Sequence, residues 1–203
     1  MAAFGHVSVR IPGTPRLIVS PRVGPGTATP DNLLIVDLEG SVSGPARPPL
    51  ELPIHTSIYR EMPDVGAICR IHGEGASVLS VLRVPVRPLH FLGSILGGEV
   101  PVHDYGDLIT DDARGNSVAR AIRGRRALLL RGNGQVVVGS TLAEACVRAI
   151  YLEEAARLQM RAIPLGEPRY HSVEEVAAYG RAWEDPVNIE RVWNFYASLL
   201  DPQ

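Results

Sequence analysis

The 203-residue sequence has little of what usually assigns a function directly. It contains two cysteines, Cys69 and Cys146, each within an apolar stretch, so we expect two buried thiols in a reducing cytoplasm and no disulfide framework. No apolar run approaches the ~18 residues of a membrane span, and no basic segment followed by an apolar one marks a secretion signal. The formal net charge of −2 provides no basic surface for nucleic acid or an anionic membrane.

The composition is sufficient to build a hydrophobic core. Hydrophobic residues make up 45% of the sequence and charged residues 21%, proportions typical of one compact soluble domain. No internal repeat and no long linker divides the chain. We therefore predict a single domain over residues 1–203, with the helices of residues 172–201 forming an appended tail.

Hydrophobic periodicity predicts alternating strands and helices. The apolar run at 65–71 has strand length and suits a strand that is covered on both faces. Strands are predicted at 7–11, 17–20, 33–37, 65–71, 99–103, 127–130 and 135–139. Helices are predicted at 52–61, 76–82, 111–123 and 141–162. A capping box of Ser172 with Glu175, and Asp185 before Pro186, predict two further helices in the tail. The order indicates an α/β fold with helices on the faces of a central sheet.

Three segments together resemble the class II aldolase/adducin family. They are Gly5-His6-Val7-Ser8, the helix and strand of residues 51–72, and the run LLLRGNGQVVVGSTLAE at residues 128–144. In that family the strand ends in His-x-His, the later run carries Asn-His-Gly, and the three histidines bind a divalent metal. The matching positions here read Arg70-Ile71-His72 and Gly132-Asn133-Gly134, so one histidine of three remains.

The resemblance, which covers roughly residues 5–161, implies a three-layer α/β/α sandwich around a central mixed sheet. Enzymes of the family are usually ring-like homotetramers with active sites between subunits, so we expect a homo-oligomer. The apolar segment 86–96 and the last helix are the candidate interface. In such enzymes the metal chelates a carbonyl and a hydroxyl of the substrate and stabilises an enediolate, while a glutamate at the start of a helix moves protons.

Glu51 and Arg70 match two positions of the family site. Glu51 matches the glutamate and is a candidate for proton transfer, although an exposed helix N-terminal glutamate favoured by the helix dipole is the alternative. Arg70 matches the first histidine. Because arginine is permanently charged it cannot bind a metal, but it can bind a carboxylate. We expect Arg70 to pair with Glu51 or with an acidic substrate; a purely structural ion pair is the alternative.

His72 is the one intact ligand position, and it can serve as a general acid or base or as a metal ligand. Asn133 matches the third histidine; its amide oxygen suits hard ions but not zinc, and Gly-Asn-Gly is also ordinary turn chemistry. No cofactor is therefore expected, and in particular no stoichiometric zinc. A weakly bound divalent metal on His72 remains the alternative. Glu74, between glycines, is expected to point to solvent.

Three further residues are candidates for substrate binding. His6 replaces an asparagine that is common in the aldolases, and the Gly-His-x-Ser version occurs in branches of the family that act on aromatic or carboxylate substrates. Ser20 and Arg22 lie in an early loop, where Arg22 can bind a carboxylate. The remaining histidines are expected to pack, to form hydrogen bonds or to lie at the surface: His55, His103 and His171.

Two departures from the family pattern argue against a sugar-phosphate aldolase. His90 is followed by Phe91 where the aldolases carry His-Tyr, so that tyrosine hydroxyl is missing, and His90 is expected to face a neighbouring subunit's site. Residues 48–50 read Pro-Pro-Leu where phosphate-binding serines would stand.

The sequence therefore predicts a lyase-like enzyme, a decarboxylase or a retro-aldol enzyme, acting on a small carboxylated substrate. Glu51 and His72 are its candidate catalytic residues. One alternative is a non-catalytic scaffold or binding protein, like the adducin head domain. The other is a weakly metal-dependent lyase that keeps the metal on His72.

Overall fold

A central eight-stranded sheet organises the computed structural model, which describes residues 3–200. The strand order across the sheet is β4-β3-β2-β1-β5-β8-β7-β6. Neighbouring strands are antiparallel except β6 and β7, which are parallel, so the sheet is mixed as predicted. The strands are β1 (His6–Arg10), β2 (Arg16–Val19), β3 (Leu34–Asp37), β4 (Val42–Ser43), β5 (Ala67–Ile71), β6 (Val102–His103), β7 (Ala127–Leu130) and β8 (Gln135–Gly139).

Helices cover both faces of this sheet. They are α1 (Leu52–Glu61), α2 (Glu74–Val81), α3 (Asp112–Ile122), α4 (Leu142–Ala162), α5 (Val173–Gly180) and α6 (Pro186–Ser198). Successive side chains of a strand point to opposite faces. Ile68 of β5 accordingly packs with Ile54 of α1 on one side, where α3 also lies, and Cys69 packs with Leu152 of α4 on the other, where α2 lies. The α/β/α sandwich is confirmed.

The tail helices begin where their capping residues predict. Ser172 Oγ accepts a hydrogen bond from Glu175 N, and Ser172 N donates one to Glu175 Oε2. Asp185 caps α6 through Val187 N. Ile189 of α6 is buried in the core on the α4 side, so the tail contributes to the core of the sandwich. Between residues 3 and 200, no helix combines the length and apolarity that a membrane crossing requires.

Several elements differ from the prediction, and the strand predicted at 99–103, for example, is reduced to β6 (Val102–His103). Helix α2 begins at Glu74 and not at residue 76, because Glu153 of α4 accepts hydrogen bonds from Gly75 N and Ala76 N and so caps the first turn. Strand β4 is absent from the prediction. It pairs with β3 over two residues only, too few for any periodicity.

The topology brings Glu51, Arg70 and Asn133 together with His6. Register pairing places His6 of β1 opposite Arg70 of β5. Glu51 immediately precedes α1, and Asn133 lies in the turn between β7 and β8. That turn requires glycine at Gly134, because φ is +76° and a Cβ atom there would lie 2.2 Å from Ile71 O.

Candidate functional site

A buried guanidinium group lies at the centre of the site. Arg70 is 1% exposed. Its Nη2 donates to Glu51 Oε2 at 2.7 Å and to Asn133 Oδ1 at 2.8 Å. Its Nη1 lies 2.9 Å from His72 Nε2 and donates to Ile71 O at 3.1 Å. The predicted direct ion pair between Arg70 and Glu51 is confirmed, and the same guanidinium group also contacts His72 and Asn133.

Glu51 is 6% exposed, so it is not the surface helix-start glutamate of the alternative interpretation. Its Oε1 accepts hydrogen bonds from Asn133 Nδ2 at 2.8 Å and Ile109 N at 3.1 Å. Together with the bond from Arg70, three of the about four lone-pair positions of the carboxylate are used. The free one belongs to Oε2, which is the atom of Glu51 that can still take a proton.

His72 is a half-buried, neutral imidazole. The pKa of His72 is lowered to about 4, first by burial and then by the nearby positive charge of Arg70, while Glu51 acts in the opposite direction. A guanidinium nitrogen can only donate a hydrogen bond, so His72 Nε2 must be the acceptor in its bond with Arg70. The proton of the neutral ring therefore resides on Nδ1.

The residues present do not fit a divalent metal. Of the atoms that could coordinate one, His72 Nε2 and Asn133 Oδ1 lie within hydrogen-bond distance of Arg70, and Glu51 Oε2 forms an ion pair with it. A metal placed among them would meet a fixed positive charge. Across residues 3–200, no three His, Cys, Asp or Glu side chains are grouped to hold an ion. The guanidinium thus lies among the groups that would surround the metal in the family site.

A cavity of about 510 Å³ opens beside this network. Its polar lining residues are His6, Arg22, Glu51, His72 and Asn133. Its apolar lining includes Phe4, Pro21, Val23, Pro49, Leu50 and Leu108. Arg22 is exposed, and no carboxylate within residues 3–200 forms an ion pair with it. A mostly apolar cavity with a few convergent polar groups is typical of a small-molecule site.

Two of the predicted substrate-binding residues, Arg70 and Ser20, do not line this cavity. Arg70 lies behind the cavity and does not line it, because its donors are directed at Glu51, Asn133 and His72. Ser20 accepts a hydrogen bond from Val7 N at 2.9 Å and supports the backbone between β1 and β2. His90 lies outside the cavity of its own chain, and its Nε2 is buried with no partner among residues 3–200. Its position facing a neighbouring subunit's site stays a prediction.

A second buried network, which sequence reasoning missed, extends behind His6. His6 Nδ1 lies 2.6 Å from His55 Nε2, and His55 Nδ1 lies 2.6 Å from Ser8 Oγ. Ser8 Oγ in turn lies 3.0 Å from Tyr59 OH. The available signal was the spacing of Glu51, His55 and Tyr59, which places one residue per turn along one side of α1. The expectation that His55 packs or forms a hydrogen bond is confirmed.

Both histidines of this network are neutral at ordinary pH. The pKa of His6 falls to about 2, first because the ring is buried and then because His55, Arg70 and His72 lie nearby. The pKa of His55 falls to about 3, again mainly through burial and then through Arg70. Each ring therefore carries a single proton, which it can donate on one side only.

Other predicted positions lie outside the cavity. The side chain of Glu74 is 67% exposed, as expected, and lies 3.7 Å from Arg157. The expectation of two buried thiols is only half correct. Cys69 is buried but Cys146 is partly exposed, and their Sγ atoms lie 3.6 Å apart.

Comparison with known proteins identifies the family of this chain. The family model described as "Class II Aldolase and Adducin N-terminal domain" matches residues 1–160. A 5-methylthioribulose-1-phosphate/5-deoxyribulose-1-phosphate aldolase from Rhodospirillum rubrum is 31% identical over 173 residues, covering 85% of this chain and 77% of that protein. A 3,4-dihydroxyphthalate decarboxylase from a Terrabacter species is 30% identical over 178 residues, covering 80% of this chain and 74% of that protein.

The solved structure of an L-fuculose 1-phosphate aldolase superposes with a TM-score of 0.83 at 25% identity, over 90% of this chain and 87% of that one. Aldolases and decarboxylases both cleave carbon–carbon bonds, so the similar proteins share a reaction type while differing in substrate. The chain belongs to the class II aldolase and adducin family.

Proposed function

We propose that this protein is a carbon–carbon lyase, of the decarboxylase or retro-aldol type, that acts on a small carboxylated substrate. The observation that carries the proposal is the makeup of one cavity. An exposed arginine, Arg22, lines the cavity together with Glu51 and His72, and the walls between them are apolar. Arg22 would bind the substrate carboxylate and orient the bond to be broken.

The walls favour an apolar or aromatic substrate body over a sugar phosphate. Pro49 and Leu50 line the cavity immediately before Glu51, where the family resemblance would place phosphate-binding serines. Proline has no N–H and neither side chain can donate a hydrogen bond. The similarity to 3,4-dihydroxyphthalate decarboxylase, whose name describes an aromatic dicarboxylate, supports this substrate class.

Cleavage leaves an electron pair on the substrate, which moves to an adjacent carbonyl group or ring. Hydrogen-bond donors already oriented in the site would stabilise the oxygen that gains charge. His72 can supply such a donor from Nδ1, because its other nitrogen accepts from Arg70. Glu51 would hold or return the proton on the free position of Oε2. Arg70 positions all of these groups and contributes a buried positive charge without touching the substrate.

A non-catalytic binding protein is the second candidate, and one observation favours it. Glu51 and Arg70 neutralise each other, and the pKa values of His6 and His72 lie at about 2 and about 4. Neither histidine of the cavity therefore titrates near neutral pH, where a general acid or base is most effective.

We further propose that the protein forms a homo-oligomer, most simply the tetramer expected from its family. Exposed apolar side chains gather on α6 and on the turn that follows His90, as a subunit interface would require: Phe91, Val187, Phe195 and Leu199. Light scattering coupled to size exclusion should give a mass above the 21.9 kDa of one chain, and Phe195→Glu should reduce it. An unchanged single-chain mass would reject this interface.

Turnover of a substrate panel tests the enzymatic proposal. Small aromatic and aliphatic hydroxy- and keto-carboxylates would be assayed for CO₂ release and for aldehyde formation. We expect at least one to react, Glu51→Gln and His72→Ala to lose about 100-fold or more in kcat, and Arg22→Gln to raise KM. Arg16→Gln, an exposed arginine of β2 outside the cavity, is the matched control. Binding of a carboxylate without any turnover would favour the binding protein.

A further inference from the structure

The hydrogen bonds of the network behind His6 run in one donor-to-acceptor direction. That direction determines which ring nitrogen of His6 carries the proton. The chain of contacts links His6 Nδ1 to His55 Nε2, His55 Nδ1 to Ser8 Oγ, and Ser8 Oγ to Tyr59 OH. Ser8, His55 and Tyr59 are at most 2% exposed, so bulk water does not satisfy their polar atoms. Each polar hydrogen of Ser8, His55 and Tyr59 must therefore have its acceptor within this hydrogen-bond network.

One arrangement of protons satisfies all of these groups. The Tyr59 hydroxyl donates to Ser8 Oγ, and the Ser8 hydroxyl donates to His55 Nδ1. His55 then carries its proton on Nε2 and donates it to His6 Nδ1. Because a neutral imidazole has a single N–H, the proton of His6 must reside on Nε2. Nδ1 faces the interior, so it is the Nε2 edge that His6 can present to the cavity it lines.

The reversed arrangement leaves a buried hydrogen without an acceptor. If His6 Nδ1 donated to His55, then His55 Nδ1 would donate to Ser8. Ser8 could pass its own hydrogen to Tyr59, which would strand the Tyr59 hydroxyl hydrogen. Alternatively Tyr59 could donate to Ser8, which would strand the hydrogen of Ser8. Among residues 3–200 neither hydroxyl has another partner at its oxygen. Buried polar groups in native proteins are almost always paired, so this arrangement is disfavoured.

We propose that Ser8 and His55 are positioning residues that hold His6 as an Nε2–H donor, so that the substrate group seated against His6 is a hydrogen-bond acceptor. A carboxylate or carbonyl oxygen fits this requirement, and an ammonium group does not. The identity of the group that His6 recognises rests on the proposed function of the cavity, whereas the position of the proton on His6 does not. The low pKa values of His6 and His55 are consistent with both rings remaining neutral at the pH of the measurement.

The proton position can be read directly by nuclear magnetic resonance, without any substrate. In protein labelled with ¹⁵N-histidine, long-range ¹H–¹⁵N correlations distinguish the ring nitrogen that bears hydrogen from the bare one. A His6→Asn variant would assign the His6 signals. We expect Nε2 of His6 to be protonated and Nδ1 to be bare. A wild-type protein with the proton on Nδ1 would overturn the proposal, whether or not any activity is found.

Two variants that each remove one buried hydroxyl separate positioning from a general structural effect. Ser8→Ala removes the donor that sets the direction, so His6 should become a mixture of both tautomers. Tyr59→Phe removes the last hydroxyl of the network but leaves Ser8 able to donate only to His55, so His6 should keep its proton on Nε2. A His6 tautomer that is unchanged in Ser8→Ala, or that shifts equally in both variants, would show that Ser8 does not position His6.

Discussion

Replacing Glu51 by glutamine should cost far more stability than replacing a surface glutamate. The side chains of Arg70 and Glu51 are 1% and 8% exposed, and their charges lie 2.7 Å apart. Glutamine would retain an oxygen for Asn133 Nδ2 and Ile109 N, but its amide hydrogens would face the guanidinium hydrogens of Arg70. The buried charge of Arg70 would then be uncompensated. Breaking a buried pair on one side costs about 3–5 kcal/mol, so we expect a loss of that size.

The matched control is Glu61→Gln, which breaks the ion pair of Glu61 with Arg123 at the surface. Those side chains are 36% and 60% exposed, and exposed pairs contribute about 0–1 kcal/mol. The free energy of unfolding would be measured by urea titration followed by circular dichroism, at one protein concentration because oligomerisation alters apparent stability. The double variant Glu51→Leu with Arg70→Met should recover only part of the loss, because it leaves no buried charge but removes the acceptor of Asn133 Nδ2 and Ile109 N.

A loss of less than about 1 kcal/mol for Glu51→Gln, equal to that of the control, would refute the reasoning, because an uncompensated buried charge must cost more. The outcome also affects the turnover experiment. If Glu51→Gln is as destabilising as expected, its activity must be measured under conditions where the variant is shown to be folded. Loss of activity in a folded Glu51→Gln protein would then report on proton transfer and not on collapse of the site.

Three other measurements follow from the structure. The purified protein should carry no stoichiometric zinc by elemental analysis, whereas Arg70→His combined with Asn133→His should bind about one divalent ion per chain, and adding His72→Ala should abolish that binding. The pKa of His72 is lowered from 6.5 to about 4, so between these pH values the unfolded protein binds a proton that the folded protein does not. The contribution of His72 to stability should therefore be lost as pH falls from about 6.5 to about 4. An NMR titration of His72 with a midpoint near 6.5 would contradict this. Their shared hydrogen bond raises the pKa of Cys69 and lowers that of Cys146, so iodoacetamide should alkylate Cys146 first, as mass spectrometry of timed samples would show.

Much of the fold was predictable, because local patterns and family motifs determine it. The strand and helix before Arg70, and the turn at Asn133, lie at the positions the sequence indicates. The Arg70–Glu51 ion pair was predictable for a similar reason, since both side chains start from positions that converge on one point in the family site. The start of α2 was not, because Glu153 reaches it from another helix.

The composition of the cavity was predictable only in part. Ser20 was a candidate because it resembles a family position, but resemblance does not tell where a side chain points, and Ser20 does not line the cavity. Ile109 N binds Glu51 from a loop whose sequence has no motif. Ser8 and His55 meet only because β1 lies beneath α1, a three-dimensional relation that the spacing of residues along α1 does not reveal.

The position of Phe4 and His6 in the cavity wall has a practical consequence for handling the protein. An affinity tag fused ahead of Met1 would be joined to the chain only a few residues from the cavity of the candidate site. A bulky extension there could enter the cavity and mimic a ligand. A histidine-rich extension could bind metal through its own imidazoles. Binding and elemental measurements should therefore use protein from which an N-terminal tag has been removed.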